Sequence, residues 1–333
     1  MRLIMMGTGP FAVPTFRGLF STEADVVALV TSPLRTHRGK RVAQVSEMRD
    51  IAHEHGTEIL DPENINTPES QAMLRRYDAD LHVVCDYGQI LSSETLATAR
   101  FGGINLHGSL LPKYRGAAPV NWAMYHGEKK TGVTVIHMTP RVDAGPCIAQ
   151  AETEILPDET AGELEERLAE LGQWLIIRAI GNVESGNLES LPQDPALASR
   201  APRLKKSDGL IDWSRPACAI RDHIRALDPW PKTFTYWHRT DGAPVRLILG
   251  PCDVLTVEDL AEWIEEVDCQ YRRLPPGTVI GATDDRLVIT TGESFLVPRM
   301  IQPAGKRLMP IDEFLRGNRV TLGDRFGPER LPN

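Results

Sequence analysis

Residues 3–20 have the sequence LIMMGTGPFAVPTFRGLF, in which an apolar run, a glycine-rich turn and an amphipathic segment follow one another directly. The run Leu3 to Met6 is typical of a buried strand, and Gly7-Thr-Gly-Pro10 ends it. The spacing of apolar residues through Phe16 and Phe20 predicts a helix. A strand that leads directly into a helix is the repeating unit of an α/β fold.

Further strand patterns alternate with helical ones along the first half of the chain. This alternation predicts a mostly parallel sheet with helices on both faces, the Rossmann-like class of α/β fold. Helical spacing from Ala161 to Ile180 adds a long helix, and the acidic stretch Glu152 to Glu170 is interpreted as a solvated helix face. The predicted strands are Val26 to Thr31, Glu58 to Leu60, Asp80 to Cys85, Gly103 to His107 and Thr131 to Met138.

The glycine turn is a weak functional signal by itself. Gly7-Thr-Gly9 begins a G-x-G-x-x-G pattern, but Ala12 stands at the third glycine position and Pro10 intervenes. This departure disfavours a nicotinamide dinucleotide site, although alanine is tolerated at that position. A non-catalytic dinucleotide-sensing module is therefore a disfavoured alternative, and the turn is predicted to serve close packing of the strand against the helix.

The length and the later part of the chain predict a second domain. A chain of 333 residues exceeds one domain of usual size. Periodicity gives way near Gly186 to a polar, proline-rich stretch, so we expect a Rossmann-like domain over residues 1–188 and a linker over 189–207. Short strands separated by turns from 208 to 333 predict a small C-terminal β-barrel of the OB-like kind.

Charge is distributed unevenly along the chain. The net charge is −8, since residues 1–200 hold 18 Lys and Arg against 26 Asp and Glu, whereas residues 201–333 hold 19 of each. This acidic balance argues against non-specific nucleic-acid binding, but local basic clusters can still neutralise phosphates. These clusters permit an RNA partner without requiring one, because solvated loops have the same composition. They are Arg35 to Arg41 (RTHRGKR), Lys113 to Arg115, and Arg203 to Lys206 (RLKK).

Composition places the chain in the class of globular proteins with an apolar core. Hydrophobic residues make up 41% and charged residues 25%, and no window approaches the roughly 18 consecutive apolar residues of a membrane span. The apolar amino-terminal run is too short for a signal peptide. We therefore expect no membrane partner.

The five cysteines are scattered and show no CxxC spacing. This pattern favours reduced thiols in the cytoplasm over a disulfide framework or a zinc site, and no metal is expected.

Three polar residues are candidates for chemistry at the end of the sheet. Asn105 and His107 lie two apart on a predicted strand, so their side chains share one face. Asp143 follows the next predicted strand. In open α/β sheets, ligands bind outside the carboxyl ends of the strands, where all three could meet. They supply an amide donor, an imidazole and a carboxylate, although a polar cluster at a strand end also has this composition.

No serine or cysteine is placed as a nucleophile beside the imidazole. Ser109 is the nearest, and it does not stand in a G-x-S-x-G elbow. Direct acyl transfer needs no enzyme nucleophile when the acceptor substrate carries its own amine. It needs donors for the oxyanion and a group that accepts the amine proton, which the three residues provide.

The string around these residues is similar to a known family signature. Residues 105–119 (NLHGSLLPKYRGAAP), 131–134 (TGVT) and 142–145 (VDAG) closely resemble the signature of the 10-formyltetrahydrofolate-dependent formyltransferases. Residues 6–12 (MGTGPFA) and 86–91 (DYGQIL) fit the same family in order and spacing. So long a string, with its partners in register, is highly specific.

The later part of the chain indicates a branch of this family. It resembles the C-terminal domain of methionyl-tRNA formyltransferases through 211–213 (IDW), 225–231 (RALDPWP), 276–278 (PGT) and 302–306 (QPAGK). The last of these disfavours the sugar-nucleotide N-formyltransferases, which remain the main alternative, with a formyl-folate hydrolase as another. The resemblance thus covers nearly the whole chain and implies transfer to the amino group of initiator methionyl-tRNA.

The resemblance implies a role for each candidate residue. Asn105 should donate to the formyl oxygen, His107 should stabilise the oxyanion and assist proton transfer, and Asp143 should orient His107 and help accept the amine proton. We expect the donor 10-formyltetrahydrofolate, the acceptor initiator methionyl-tRNA, and a monomer. The residues expected to hold the folate are Asp86, Tyr87, Gly88, Ile90, Ser109, Leu110, Leu111, Pro112, Val142 and Gly145. The residues expected to contact tRNA are Arg35, Arg38, Lys40, Arg41, Lys205 and Lys206. The loop that contains the first four is slightly shortened ahead of Arg38 relative to the family.

Overall fold

The chain forms two compact units in a computed structural model. The structure describes residues 1–34, 36–37, 40–41, 46–187, 189–239, 242–263 and 274–331, with the side chains of 36–37, 40–41 and 261–263 outside the description. The first unit comprises Met1–Val120, Lys129–Leu156 and Glu163–Arg203, and the second comprises Asn121–Glu128, Pro157–Gly162 and Leu204–Asn333. The segments 121–128 and 157–162 therefore belong to the second unit, although they precede the predicted linker in sequence.

In the first unit, strands and helices alternate along much of the chain. Its strands are β1 (Arg2–Gly7), β2 (Asp25–Val30), β3 (Thr36–His37), β4 (Lys40–Arg41), β5 (Glu58–Leu60), β6 (Leu81–Cys85), β7 (Gly103–His107), β8 (Arg115–Gly116), β9 (Lys130–His137), β10 (Cys147–Glu154) and β11 (Arg200–Ala201). Its helices are α1 (Val13–Leu19), α2 (Glu47–Glu54), α3 (Pro68–Arg75) and α4 (Ser93–Leu96). Helices α5 (Pro119–Tyr125) and α6 (Ala161–Glu184) each begin or end beyond its limits.

Seven strands form the main sheet in the order β10-β9-β7-β6-β1-β2-β5. The five from β7 to β5 run parallel, whereas β9 is antiparallel to both β7 and β10. All five residues of β6 are buried, as expected for a central strand covered on both faces. The predicted Rossmann-like, mostly parallel sheet is therefore confirmed.

One predicted element is different in the structure. Helix α6 begins only at Ala161, and Glu152 and Glu154 lie at the end of strand β10. The interpretation of this acidic stretch as one helix face was wrong in its first part. Strand β10 is at the edge of the sheet, and its alternate side chains are exposed, which gives polar residues an alternating pattern as well.

The second unit is built mainly from antiparallel strands, which confirms the predicted C-terminal β domain. A five-stranded sheet has the order β19-β18-β13-β12-β20, and a four-stranded sheet has the order β14-β17-β16-β15. The strands are β12 (Thr233–His238), β13 (Val245–Leu249), β14 (Cys252–Leu255), β15 (Val279–Ala282), β16 (Leu287–Thr290), β17 (Phe295–Pro298), β18 (Met300–Pro303), β19 (Met309–Pro310) and β20 (Arg325–Gly327). The helices are α7 (Ala217–Ala226), α8 (Val257–Trp263) and α9 (Ile311–Gly317).

Each unit has its own apolar core. In the first, Ile4, Met6 and Val30 pack with Leu74 and Leu96 against one face of the sheet. In the second, the buried residues include the aromatic side chains Trp213, Trp237, Phe314 and Phe326. Across the described part of the chain, none of the helices has the length and apolar character that crossing a membrane requires.

Candidate active site

The candidate site lies at one end of β7, next to the chain reversal between β9 and β10. Asn105 and His107 are paired in register with Ile136 and Thr134 of β9. Because they are two apart, both side chains leave the same face of β7. Helix α6 is on the other face, since a Cβ added to Gly172 would meet the side chain of Leu106. The strand thus separates a packed face from a face that carries polar groups.

Asp143 joins this pair from the connection between β9 and β10. Its Oδ1 lies 3.5 Å from Nδ2 of Asn105, and its Oδ2 lies 3.6 Å from Nδ1 of His107. The backbone N–H of Gly116 donates to the same Oδ2 over 2.9 Å. Asp143 has a φ of +49°, in the left-handed region that non-glycine residues seldom occupy. The tertiary structure therefore brings the three predicted residues together around one carboxylate.

The imidazole of His107 is enclosed, with 6% of the residue exposed. Its Nε2 lies 2.9 Å from the backbone carbonyl oxygen of Tyr114. A carbonyl can only accept, so Nε2 carries a hydrogen and the ring orientation is fixed. The Nδ1–Oδ2 separation of 3.6 Å to Asp143 is too long for a full hydrogen bond. Nδ1 of His107 thus faces the carboxylate of Asp143 without a full hydrogen bond to it.

The loop after β7 is held rigidly by hydrogen bonds to its backbone. Thr134 donates to the carbonyl of Ser109 over 2.6 Å and accepts from the N–H of Leu111 over 3.1 Å. Gln150 donates to the carbonyl of Leu111 over 2.7 Å. The hydroxyl of Ser109 donates to the carbonyl of Lys113 over 2.7 Å and is fully buried. Ser109 therefore acts as a structural residue of the loop and cannot reach an open surface with its side chain.

The other residues expected at the folate differ in their exposure. Leu110 and Pro112 are partly exposed, and Leu111 is buried. Ile90 and Val142 are unusually exposed for apolar residues, at 58% and 49%, which leaves both free to contact a ligand ring. By contrast, Gly145 is buried.

Asp86 and Tyr87 follow β6 and differ sharply from each other. A Cβ added to Gly9 would collide with the carboxylate of Asp86, so the Gly7-Thr-Gly9 turn is packed against that side chain. Asp86 is exposed as a residue, and desolvation raises the pKa of its carboxyl. Tyr87 is only 3% exposed and packs within the core, so only its backbone and that of exposed Gly88 are available to a ligand.

Sequence reasoning did not find Gln193, which lies in the segment interpreted as linker. Its Nε2 donates to the carbonyl oxygens of Asp143 over 2.9 Å and Gly145 over 2.7 Å. Ser199 accepts from the N–H of Tyr114 through its side chain over 2.9 Å. This segment has no periodicity to mark it as structured. A lone glutamine in a polar stretch carries no signal that could have placed it at the site.

The residues expected at tRNA are only partly described. Arg35 and Arg38 lie outside the described residues. Lys40 and Arg41 form β4, which pairs antiparallel with β3, and their side chains lie outside the description as well. Lys205 and Lys206 are exposed in the second unit, where the N–H of Lys205 donates to Asp208 over 2.7 Å. No group of three or more histidine, cysteine, aspartate or glutamate side chains that could hold a metal ion occurs in the part of the chain that the structure describes.

Comparison with known proteins gives consistent matches over the chain. The family model described as formyl transferase matches residues 1–180, and the one described as formyl transferase, C-terminal domain, matches residues 203–319. The methionyl-tRNA formyltransferase of Rhodopirellula baltica is 41% identical over 339 residues, covering 98% of this chain and 96% of the relative. That of Bacillus subtilis is 33% identical over 333 residues, covering 100% of this chain and 99% of the relative.

Solved structures with the same fold are more distant in sequence. An N-formyltransferase from Helicobacter canadensis, solved with folinic acid and dTDP-3-aminofucose, has a TM-score of 0.62 at 16% identity, covering 89% of this chain and 97% of its own. HypX from Aquifex aeolicus, solved with tetrahydrofolic acid, has a TM-score of 0.57 at 15% identity, covering 97% of this chain and 50% of its own. At such low identities these likenesses establish the fold alone.

Proposed function

This chain belongs to the formyltransferase family, and from that premise we propose that it transfers the formyl group of 10-formyltetrahydrofolate to the amino group of initiator methionyl-tRNA. The full-length similarity to methionyl-tRNA formyltransferases supports this acceptor. The observation that carries the chemistry is the convergence of Asn105 and His107 on the carboxylate of Asp143. Formyl transfer to an amine requires an oxyanion donor and a proton acceptor, and these side chains supply both.

Asn105 and His107 are proposed to stabilise the oxyanion. When the amine attacks, the formyl carbon becomes tetrahedral and its oxygen gains negative charge. The bond from this carbon to the folate nitrogen then breaks, the carbonyl re-forms on the amine, and the folate nitrogen leaves with a proton. The amide N–H of Asn105 is only loosely engaged with Asp143, at 3.5 Å, and is therefore available to donate to this oxygen. His107 can donate to the same oxygen from Nδ1 when both ring nitrogens carry hydrogen, because its Nε2–H is directed at the Tyr114 carbonyl and Nδ1 lies 3.6 Å from Asp143. Donors fixed in a site of low dielectric constant stabilise such charge strongly.

Asp143 is proposed to accept, through water, the proton that leaves the amine. Its Oδ2 is held by Gly116, while its Oδ1 has, among the residues that the structure describes, only the long contact to Asn105. A carboxylate has about four acceptor positions, so this geometry leaves acceptor capacity for a water. An α-amino group titrates near pH 8 in model compounds, so a neutral fraction exists near neutral pH without a strong base.

The folate is proposed to bind in the first unit beside this cluster. The exposed side chains of Ile90 and Val142 offer apolar contact, and backbone groups of the 86–91 and 109–112 loops offer hydrogen bonds. The tRNA is proposed to contact the basic loop 35–41 and the exposed pair Lys205 and Lys206. A monomeric state, a place in the cytoplasm and the domain limits 1–188 and 208–333 stay predictions.

Formylation of methionyl initiator tRNA tests the proposal directly. The purified full chain with 10-formyltetrahydrofolate should produce formyl-methionyl-tRNA, and the uncharged tRNA should remain unchanged. Two parallel reactions separate the alternatives. Turnover of an amino-sugar nucleotide with none of the tRNA would identify a sugar-nucleotide N-formyltransferase, and loss of formyl from the folate without an acceptor would identify a hydrolase.

A further inference from the structure

Gln193 connects the chain segment after α6 to the loop that carries Asp143. Its Nε2 donates to two backbone carbonyls of that loop, those of Asp143 at 2.9 Å and Gly145 at 2.7 Å. Its Oε1 accepts two hydrogen bonds from Arg115, from Nε at 3.1 Å and from Nη2 at 2.6 Å. The amide of a single side chain thus makes four hydrogen bonds, all within the first unit.

The chemistry of these partners fixes the orientation of the amide. Carbonyl oxygens only accept hydrogen bonds and a guanidinium only donates them. A flipped amide would set Oε1 of Gln193 against two carbonyls and its NH₂ against Arg115, which would remove all four bonds. Arg115 therefore determines which way Gln193 points, and the NH₂ group can face only the Asp143 loop.

Arg115 also precedes the residue that holds the other end of Asp143. The N–H of Gly116 donates to Oδ2 of the Asp143 carboxylate, whereas Gln193 donates to the Asp143 main-chain carbonyl. Asp143 is thus held at its side chain and at its backbone by two neighbouring groups. It has a φ of +49°, which costs free energy and persists only where surrounding contacts impose it. Gln193 supplies such contacts.

Gln193 is anchored on both sides along the chain. Leu191 exchanges two backbone hydrogen bonds with Cys147, at 2.8 and 2.9 Å. Beyond it, the carbonyl of Ser199 accepts from the N–H of Arg115 at 2.9 Å, and that of Ala201 accepts from Ala117 at 2.8 Å. The segment 191–201 therefore follows the loops around the site closely, which makes the position of Gln193 well defined.

We propose that Gln193, oriented by Arg115, is a positioning residue for formyl transfer, because it sets the Asp143 loop and thereby aligns the carboxylate with Asn105 and His107. The proposal rests on the function proposed above for Asp143. Gln193 acts through Asp143 and does not itself touch the reacting atoms. Its removal should affect the chemical step more than substrate binding, since small misplacements of catalytic groups reduce rates by factors up to about 10².

The test uses the full-length enzyme and three substitutions that separate the contributions. Gln193→Ala removes all four hydrogen bonds. Gln193→Glu keeps the size and the partner Arg115 but replaces the donor to the Asp143 loop with an acceptor. Asn318→Ala is the matched control, since its Nδ2 also donates to a backbone carbonyl, that of Phe314 at 2.9 Å, in the other unit. For each variant the melting temperature, kcat and both KM values are measured.

We expect Gln193→Ala and Gln193→Glu to lower kcat by about 10- to 100-fold with both KM values changed less than about threefold. Asn318→Ala should leave kcat unchanged. If Gln193 matters only for packing, the isosteric Glu variant will restore kcat, and that result overturns the proposal. Should the Ala variant fail to fold, the Glu variant and the cycle below still decide the matter.

A double-mutant cycle with Asp143→Asn tests whether Gln193 acts through Asp143. If it does, adding Gln193→Glu to Asp143→Asn should lower kcat by less than about twofold more, because the group that Gln193 positions is already lost. Independent, multiplicative losses overturn the proposal. The outcomes also separate failure of the function proposed for Asp143 from failure of the positioning role. Normal kcat in Asp143→Asn contradicts the function proposed for Asp143, whereas a loss there with normal kcat in both Gln193 variants contradicts only the positioning role.

Discussion

The backbone N–H of Gly116 donates to Oδ2 of Asp143 over 2.9 Å, which joins the loop after β7 to the loop between β9 and β10. Gly116 has a φ of +129°, and a Cβ at this position would collide with the carbonyl of Ala201. Only glycine combines this backbone conformation with so close an approach. The N–H that holds the Asp143 carboxylate therefore requires glycine at position 116. The reason is the close approach of Ala201, about 85 positions further along the chain.

Substitution of the three converging residues should abolish most activity without unfolding the protein. His107→Ala, Asn105→Ala and Asp143→Asn should each lower kcat/KM by on the order of 10²-fold, because each removes an oxyanion donor or a proton carrier. The measurement is formylation of methionyl initiator tRNA under kcat/KM conditions. The exposed Asn182→Ala provides a control on α6. Near-normal turnover by a folded His107→Ala protein would contradict the proposed site.

Two tyrosines should respond oppositely to removal of the hydroxyl. Within the described residues, the buried hydroxyl of Tyr87 has no hydrogen-bond partner, whereas that of Tyr77 bonds to Glu58. Tyr87→Phe should therefore leave the free energy of unfolding unchanged or raise it by about 1 kcal/mol, and Tyr77→Phe should lower it by about 1 kcal/mol. Denaturant unfolding measures both. A large loss of folate affinity in Tyr87→Phe would show that this hydroxyl contacts the ligand after all.

Acid should destabilise the protein through a buried histidine. Desolvation lowers the pKa of His82 to about 4, and its Nε2 lies 2.8 Å from the hydroxyl of Thr98. The unfolded chain thus binds a proton at a higher pH, about 6.5, than the folded protein does. Stability is fully present above pH 6.5 and falls as the pH approaches 4, with a total loss on the order of 3 kcal/mol.

The variant His82→Asn checks this assignment. It should reduce the slope of unfolding free energy against pH between 6.5 and 4 by up to one proton, whereas His53→Asn at an exposed position should not. His223 in the second unit also has its pKa lowered to about 4 by burial, so part of the slope should remain. An unchanged slope in His82→Asn would mean that the folded protein protonates this histidine at the same pH as the unfolded chain, which contradicts the lowered pKa.

The basic loop should govern affinity for tRNA and not for folate. Changing Arg38 and Lys40 to Ala should raise the KM for tRNA several-fold and reduce the slope of log K against log salt by about 1.5, if each contacts one phosphate. The KM for 10-formyltetrahydrofolate should stay constant. The exposed pair Arg75 and Arg76, changed to Ala, is the control. Lost folate affinity with an unchanged salt slope would place this loop in the donor pocket instead.

A fragment of the first unit that binds folate should extend into the predicted linker, beyond residue 189. A fragment ending at residue 188 lacks Gln193 and Ser199, which bond to the loops around the site. A fragment ending at Arg203 retains them. We expect the longer fragment to unfold cooperatively and bind folate, and the shorter one to bind it at least tenfold more weakly. Equal folate binding by the two fragments would show that the segment 189–203 is dispensable for the donor site.

The amino-acid sequence alone determined the class of fold and much of the candidate site. Strands such as β1 and β6 are local apolar runs, and their alternation with helical spacing specifies an α/β sheet. Asn105 and His107 could be assigned to one face because two residues on one strand always share it. The long string from 105 to 119 then identified the family, since so many residues in fixed register seldom coincide by chance.

Only the tertiary structure decided which distant groups meet. Asp143 reaches His107 because the antiparallel pairing of β9 with β7 and β10 returns its loop to the sheet end, and no local pattern contains that pairing register. Gln193 donates to the main-chain carbonyl of Asp143, and the main-chain N–H of Gly116 donates to its carboxylate. Nearly every residue type carries these main-chain groups, so such bonds leave no pattern in the sequence. Tyr87 was expected at the ligand, and the fold instead packed its ring in the core, because the direction of a side chain after a strand end depends on backbone angles that the chain adopts only when folded.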